Sequence, residues 1–376
     1  MFECLFRDFP PYPIEIASAK DGCLIDKNGK KYLDFMMGWC VGNSGWNKKE
    51  ILRATKSFKG PVYVSPTYKY QRWEDLAKRL VSLLPKKQGT CFRATGGTEA
   101  VEIALKISKS YNRRKKFMAF NDAYHGQSFA CMALVGLHEN KFGPYPDFYI
   151  RLNTADWEKT TDVAVKSIKK GDICAFIAEP IICNLGVIVP PKSFFRSVRE
   201  ACDETDTVLI MDEVATGFGR TGKWFGFEHY DIQPDIITMA KGLSSGYAAI
   251  GATVAVPKVA ESMRFGFSNY STFGWHPLSV EVSIANIDYM QKNRLVEKSD
   301  NSGRYLMKRL SEFCSPDGKG LCVGFDTGNN KIKRDCRNDG LLIDDFDSRV
   351  VLFPALDVSK EQIDRAVGII KKHYGS

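Results

Sequence analysis

The amino-acid sequence predicts an α/β protein: a mainly parallel central sheet flanked by helices, plus a small α+β domain assembled from both chain ends. Three observations carry this. Short β-rich runs alternate with helical-period segments through the middle of the chain, the pattern of strands joined by crossover helices. Several of those runs are apolar on both faces, as strands covered by helices on each side must be. The two flanks lack that alternation, and the 376-residue length leaves room for two or three folding units at roughly 150 residues each.

Taken in order, residues 1–47 hold the turn Asp26–Lys27–Asn28–Gly29 between two strand-like segments, a hairpin. Strands are expected at Cys91–Ala94, Lys116–Phe120, Ile173–Ala178, Thr207–Met211, Asp235–Ala240 and Ala252–Val256, with helices such as Thr98–Asn112 and Lys192–Glu204 between them. After Pro277 long helical stretches run through Phe313. Short strands follow at Gly320–Phe325, Leu341–Ile343 and Arg349–Phe353, then a last helix from Lys360. The expected division is a large domain over 48–280 and a small discontinuous domain over 1–47 and 281–376.

Composition excludes several classes. With 44% hydrophobic and 26% charged residues the chain is neither a disordered tail nor a fibre. The 53 Lys and Arg exceed the 44 Asp and Glu by 9, which raises nucleic acid as a partner. Yet the basic runs are short (Arg113–Lys116, Lys169–Lys170, Lys371–Lys372) and no stacking aromatics interleave them, so they read as solvated faces and no nucleic-acid partner is expected. The 11 cysteines are scattered without CxxC, and the 5 histidines without HExxH, so no metal site is expected. That many unpaired cysteines point to a reducing compartment. Met1–Pro13 carries Glu3 and Asp8 and lacks the long apolar core of a signal peptide. The most apolar stretch, Ile173–Pro191, is broken by Glu179, Pro180 and Asn184 and cannot span a bilayer. A soluble cytoplasmic protein with no membrane partner is the expectation.

Four features fall at the C-terminal ends of expected strands, where ligands gather in such sheets. Ala94–Ala100 reads ATGGTEA: two glycines let a ligand approach the backbone, and the amides of the next helix face an anion. Tyr124, in Asn121–Gly126, offers a ring to stack on a flat group. Asp212 ends the apolar run Leu209–Met211, where a carboxylate is costly without a partner. Lys241 ends another such run and is followed by Gly242. Each alone is a common turn, core aromatic, ion pair or surface lysine. Together they supply what pyridoxal 5'-phosphate requires: an amine for a Schiff base, an acid for the pyridine nitrogen, an anion cradle at Gly97–Thr98 and a ring clamp.

These residues sit in longer strings, GGTEAVEIALK, AYHGQS, EPIICNLGV, MDEVATGFGRTGKWFGFEHYDIQPDIITMAKGL and STFGWHPLS. From Thr95 to Pro277 the chain resembles the class III, ornithine-aminotransferase-like family of fold type I pyridoxal-phosphate enzymes; Tyr32–Phe35 with Gly38 and Gly42 resembles its opening strand. The resemblance implies that Lys241 anchors the cofactor and shuttles a proton, and that Asp212 holds the pyridine nitrogen protonated. Tyr124 and Val214 would pack on the two ring faces, Gly97 and Thr98 would bind the phosphate, and Glu179 would have an orienting role. His125 is placed among the cofactor contacts. Thr272 would reach the phosphate of a neighbouring subunit, which implies a homodimer.

The sequence also departs from the family. An arginine often found three residues before a late proline is Val351, and the glutamate that gates it is Asn184. Gln127 follows YHG where another subset has arginine, and Ala215 stands where glutamine is usual after DEV. Arg349 shares a strand face with Val351 and is the candidate replacement ligand for a substrate carboxylate; Trp39 and Asn184 are the other candidate substrate contacts. The short chain predicts a more open substrate entrance. The expected function is transfer of an amino group from a small-molecule amine or amino-acid donor to a carbonyl acceptor. An aminomutase like those acting on glutamate 1-semialdehyde, or an epimerase or decarboxylase of the same family, is the alternative.

Overall fold

The computed structural model describes residues 12–264, 269–346 and 348–375. The first eleven residues, including Glu3 and Asp8, lie outside the described residues.

Two strands explain the centre of the molecule. Ile173–Ala178 and Val208–Asp212 are buried at every position, so side chains pointing to either face of the sheet meet apolar neighbours. They lie side by side and parallel within a seven-stranded sheet. Its order is Thr90–Ala94, Gly251–Ala255, Ile236–Met239, Val208–Asp212, Ile173–Ala178, Lys116–Phe120 and Tyr149–Leu152. Gly251–Ala255 runs antiparallel to both neighbours; the other pairings are parallel. Helices such as Gly97–Asn112 and Lys192–Thr205 cover the sheet and bury their apolar stripes against it.

All six expected strands of this sheet are present, some displaced by a residue. The run expected at Thr207–Met211 is Val208–Asp212, which makes Asp212 part of the strand. The edge strand Tyr149–Leu152 was not expected; it is short and carries Arg151. Near the C-terminus the strand expected at Gly320–Phe325 begins at Cys322, because Gly320 (φ +54°) turns the chain first.

Both chain ends contribute to the smaller part. The hairpin Cys23–Asp26 and Lys31–Asp34 closes over the expected turn, where Asp26 Oδ1 accepts from the amides of Asn28 and Lys30 at 2.9 Å. Lys31–Asp34 then pairs in parallel with Leu341–Leu342. A second antiparallel sheet orders Asp317–Lys319, Cys322–Asp326, Arg349–Leu352 and Asp344–Phe346. The fully buried Arg220 ties these parts together, donating to Leu321 O (3.0 Å), Pro354 O (2.6 Å) and Asn43 Oδ1 (2.8 Å). Among the described residues no helix is long and apolar enough to cross a membrane.

Candidate active site

Parallel strands deliver their C-terminal ends to one edge of the sheet, and a cavity of about 210 Å³ opens there. Of the residues expected at the site, Trp39, Gly97, Thr98, Tyr124, His125, Glu179, Asn184, Asp212, Val214 and Lys241 all line it. Thr272 does not: it is exposed on the surface, near Phe273. Arg349 does not either. Its Nε donates to Gly186 O (3.0 Å) and its Nη1 pairs with Asp326 (2.9 Å), so the role of carboxylate ligand finds no support in this geometry. Sharing a strand face with Val351 is not enough, because Val351 itself is fully buried in an apolar cluster and does not line this cavity.

Asp212 is 3% exposed, and both its oxygens are held. Oδ2 meets His125 Nδ1 at 2.6 Å; Oδ1 accepts from Thr238 Oγ1 (2.8 Å) and the Val214 amide (3.1 Å). A buried carboxylate so bound keeps a fixed orientation. Thr238 stands opposite Asp212 in the parallel register, which sequence reasoning could not supply. His125, named only as a contact, turns out to orient the acid. Cys183, also on the cavity wall, was missed: a lone cysteine in an apolar run carries no signal.

Glu179 is buried beside them. Its Oε2 accepts from the Cys183 amide at 3.2 Å, and burial, with Asp212 adding repulsion and His125 opposing, lifts its carboxyl from 4.5 to about 7. Lys241 follows the strand Ile236–Met239 at φ +29°, a strained value for a non-glycine residue and one often found where function fixes a side chain. Asn184 Nδ2 donates to Asp122 O at 3.0 Å, closing the wall next to Tyr124.

The anion cradle is built by close approach. Thr98 accepts from the Gln127 amide at 3.4 Å, and Gly126 (φ +128°) permits this, since a Cβ there would lie 2.6 Å from Thr98 Oγ1. The helix Gly97–Asn112 starts without a side-chain cap, leaving its first amides to face the cavity.

These residues fit pyridoxal phosphate on their own chemistry. Of the seven buried polar side-chain atoms without a partner among the described residues, two, His125 Nε2 and Glu179 Oε1, belong to side chains that line this cavity, where a bound polar group would satisfy them. An uncapped helix start, a fixed carboxylate and a lysine converge on the same space as those two atoms.

The model of the class III aminotransferases matches residues 7–373. Acetylornithine aminotransferase of Archaeoglobus fulgidus is 33% identical over 356 residues, 93% of each chain. Putrescine aminotransferase of Pectobacterium atrosepticum is 30% identical, covering 96% of this chain and 83% of its own. The crystal structure of a Bacillus anthracis aminotransferase superposes with a TM-score of 0.90 at 28% identity, over 98% of this chain and 95% of that one.

Proposed function

The chain belongs to the class III aminotransferases and is an aminotransferase, and from that premise we propose that it works with pyridoxal 5'-phosphate held in the cavity of Asp212 and Lys241. The observation that carries this reading is the convergence of a lysine, a doubly held carboxylate and an uncapped helix start on one space. When bound, the cofactor supplies an electron sink for the carbon next to the substrate nitrogen.

What the chain contributes follows from its own atoms. The amides of Gly97 and Thr98 bind the phosphate. Asp212 would keep a proton on the pyridine nitrogen, and its bonds to His125 and Thr238 prevent it from turning away. Tyr124 and Val214, both on the cavity wall, would hold the ring. Lys241 Nζ would anchor the cofactor covalently, and its amine is the group placed to hold and move the proton at the reacting carbon. Glu179, whose burial lifts its carboxyl to about 7, would help to orient the ring.

A homodimer is part of the proposal. Thr272 is exposed beside Phe273 and suits contact with a partner's phosphate. The two named relatives act on acetylornithine and on putrescine, so the donor class is left open at this level.

The test is steady-state transfer. Incubated with an amine donor and a carbonyl acceptor, the holoenzyme should yield one aminated product per donor consumed. Isomerisation of a single substrate without a second partner would point to the mutase alternative.

A further inference from the structure

The lysine and the acid of the cavity stand on neighbouring loops, and one buried polar cluster grips both loops from behind. We propose that Asn286, held in turn by Ser44, is the positioning residue for Lys241: it fixes the turn from which the amine reaches the cofactor's aldehyde. This rests on the reading of Lys241 as the anchor and adds the residues that aim it.

A lysine amine rides on a flexible stem, so its aim begins with the backbone. Here that backbone is strained. Lys241, at φ +29°, opens the short turn Lys241–Leu243, and Ser245 just beyond it has φ +53°. Such values persist where the surroundings over-determine them. Within the turn, the Leu243 amide donates to Ala240 O (2.7 Å) and the Ser245 amide to Lys241 O (3.0 Å). Gly242 and Leu243 are buried, where a carbonyl left without a donor is costly.

Asn286 supplies that donor to both. It lies in the helix Pro277–Lys292, and its Nδ2 donates to Gly242 O (2.9 Å) and Leu243 O (3.0 Å). Two carbonyls on one side require the NH₂ end of the amide there, so Oδ1 faces away, and Ser44 Oγ donates to it at 2.7 Å. The Ser44 amide donates to Oγ of the strained Ser245 at 2.8 Å. Asn43, next in the chain, reaches the other loop. Its Nδ2 donates to Phe218 O (2.8 Å) and Gly217 O (3.2 Å), in the segment that follows Asp212. Gly242 packs so closely against this amide that a Cβ would lie 2.6 Å from Asn43 Nδ2. Consecutive residues of the N-terminal segment therefore bracket the loop after Asp212 and the turn after Lys241, and set one against the other.

Asn43, Ser44, Ser245 and Asn286 are each 0% exposed within one chain, so these bonds are complete without a second copy. None of them lines the cavity, and their effect there passes through the backbone of Lys241. The step they serve is a condensation that needs no oxidant. The Lys241 nitrogen bonds to the aldehyde carbon, and the aldehyde oxygen leaves as water with the two hydrogens of the neutral amine.

The experiment mixes cofactor-free protein with saturating pyridoxal 5'-phosphate and follows growth of the near-visible absorbance, which reports the bond to lysine. A parallel titration uses pyridoxamine 5'-phosphate, whose amine replaces the aldehyde and forms no bond to Lys241, and reports the rest of the cavity. The variants are Ser44→Ala and Asn286→Asp; the second keeps the size and the acceptor for Ser44 but removes the amide donors. In both, the band should grow ~10-fold or more slowly, while the Kd for pyridoxamine 5'-phosphate should change by less than about 2-fold. Growth at the wild-type rate in both variants, or a matching loss of pyridoxamine 5'-phosphate affinity, overturns the proposal. Should Asn286→Asp not fold, Ser44→Ala decides alone. If the wild-type protein forms no band, or borohydride fixes the cofactor on another lysine, the anchor reading itself fails and the proposal falls with it.

Discussion

Asp212 ends a strand buried along its whole length, and three donors converge on its two oxygens. The effect proposed for it is electrostatic, so the isosteric Asp212→Asn should fold with little change in Tm yet lose ~10²-fold or more in kcat. Glu179 gives a second residue-level prediction. The folded protein keeps its proton up to about pH 7, whereas the unfolded chain releases it near the ordinary 4.5. The unfolded state then binds fewer protons, so this group lowers stability as pH rises from about 4.5 to about 7, and the loss levels off above. In cofactor-free protein, Glu179→Gln should flatten the fall in Tm over that window; an unchanged slope would remove Glu179 as its source. Lys241 and Asp212 were legible in the sequence because charges ending apolar strands are conspicuous. The parts played by Thr238 and His125 were not, because they depend on which strands lie side by side. Arg349 shows the opposite failure: alternation along a strand says which face a residue takes, not whether that face meets a cavity or, as here, Asp326.

At the scale of elements, the glycine turn before Gly97–Asn112 is held from behind by the single antiparallel strand. A Cβ on Gly251 would come within 2.4 Å of Gly96 O, a backbone atom that cannot move without shifting the cradle. Gly251→Ala should therefore weaken cofactor binding by ~10-fold or more and cost about 1–3 kcal/mol of stability, read by cofactor titration and by denaturant unfolding. The central strands of the large sheet were legible because burial on both faces leaves unbroken apolar runs. Tyr149–Leu152 was not: it pairs with only one neighbour, and its residues are only partly buried up to Leu152. The left-handed turn at Met37–Cys40 was equally hidden, since only one of its four residues is a glycine.

For the whole molecule, exposed apolar residues matter most. Val62 (79% exposed), Tyr68 (70%) and Phe273 (64%) are large apolar or aromatic side chains facing outward, and the Phe273 ring lies 6.3 Å from that of Tyr63. Such surface is expected to be covered by a second copy, the one that Thr272 would serve. Phe273→Asp should shift the sedimenting species from dimer to monomer and lower activity together with it; a dimer that persists would place the interface elsewhere. Borohydride reduction of the reconstituted protein followed by peptide mass mapping tests whether Lys241 is the residue that carries pyridoxal phosphate in the cavity of Asp212. The reduced cofactor should appear on the peptide carrying Lys241 and not on the Lys241→Ala protein. Label on another lysine, or no label at all, would contradict that assignment.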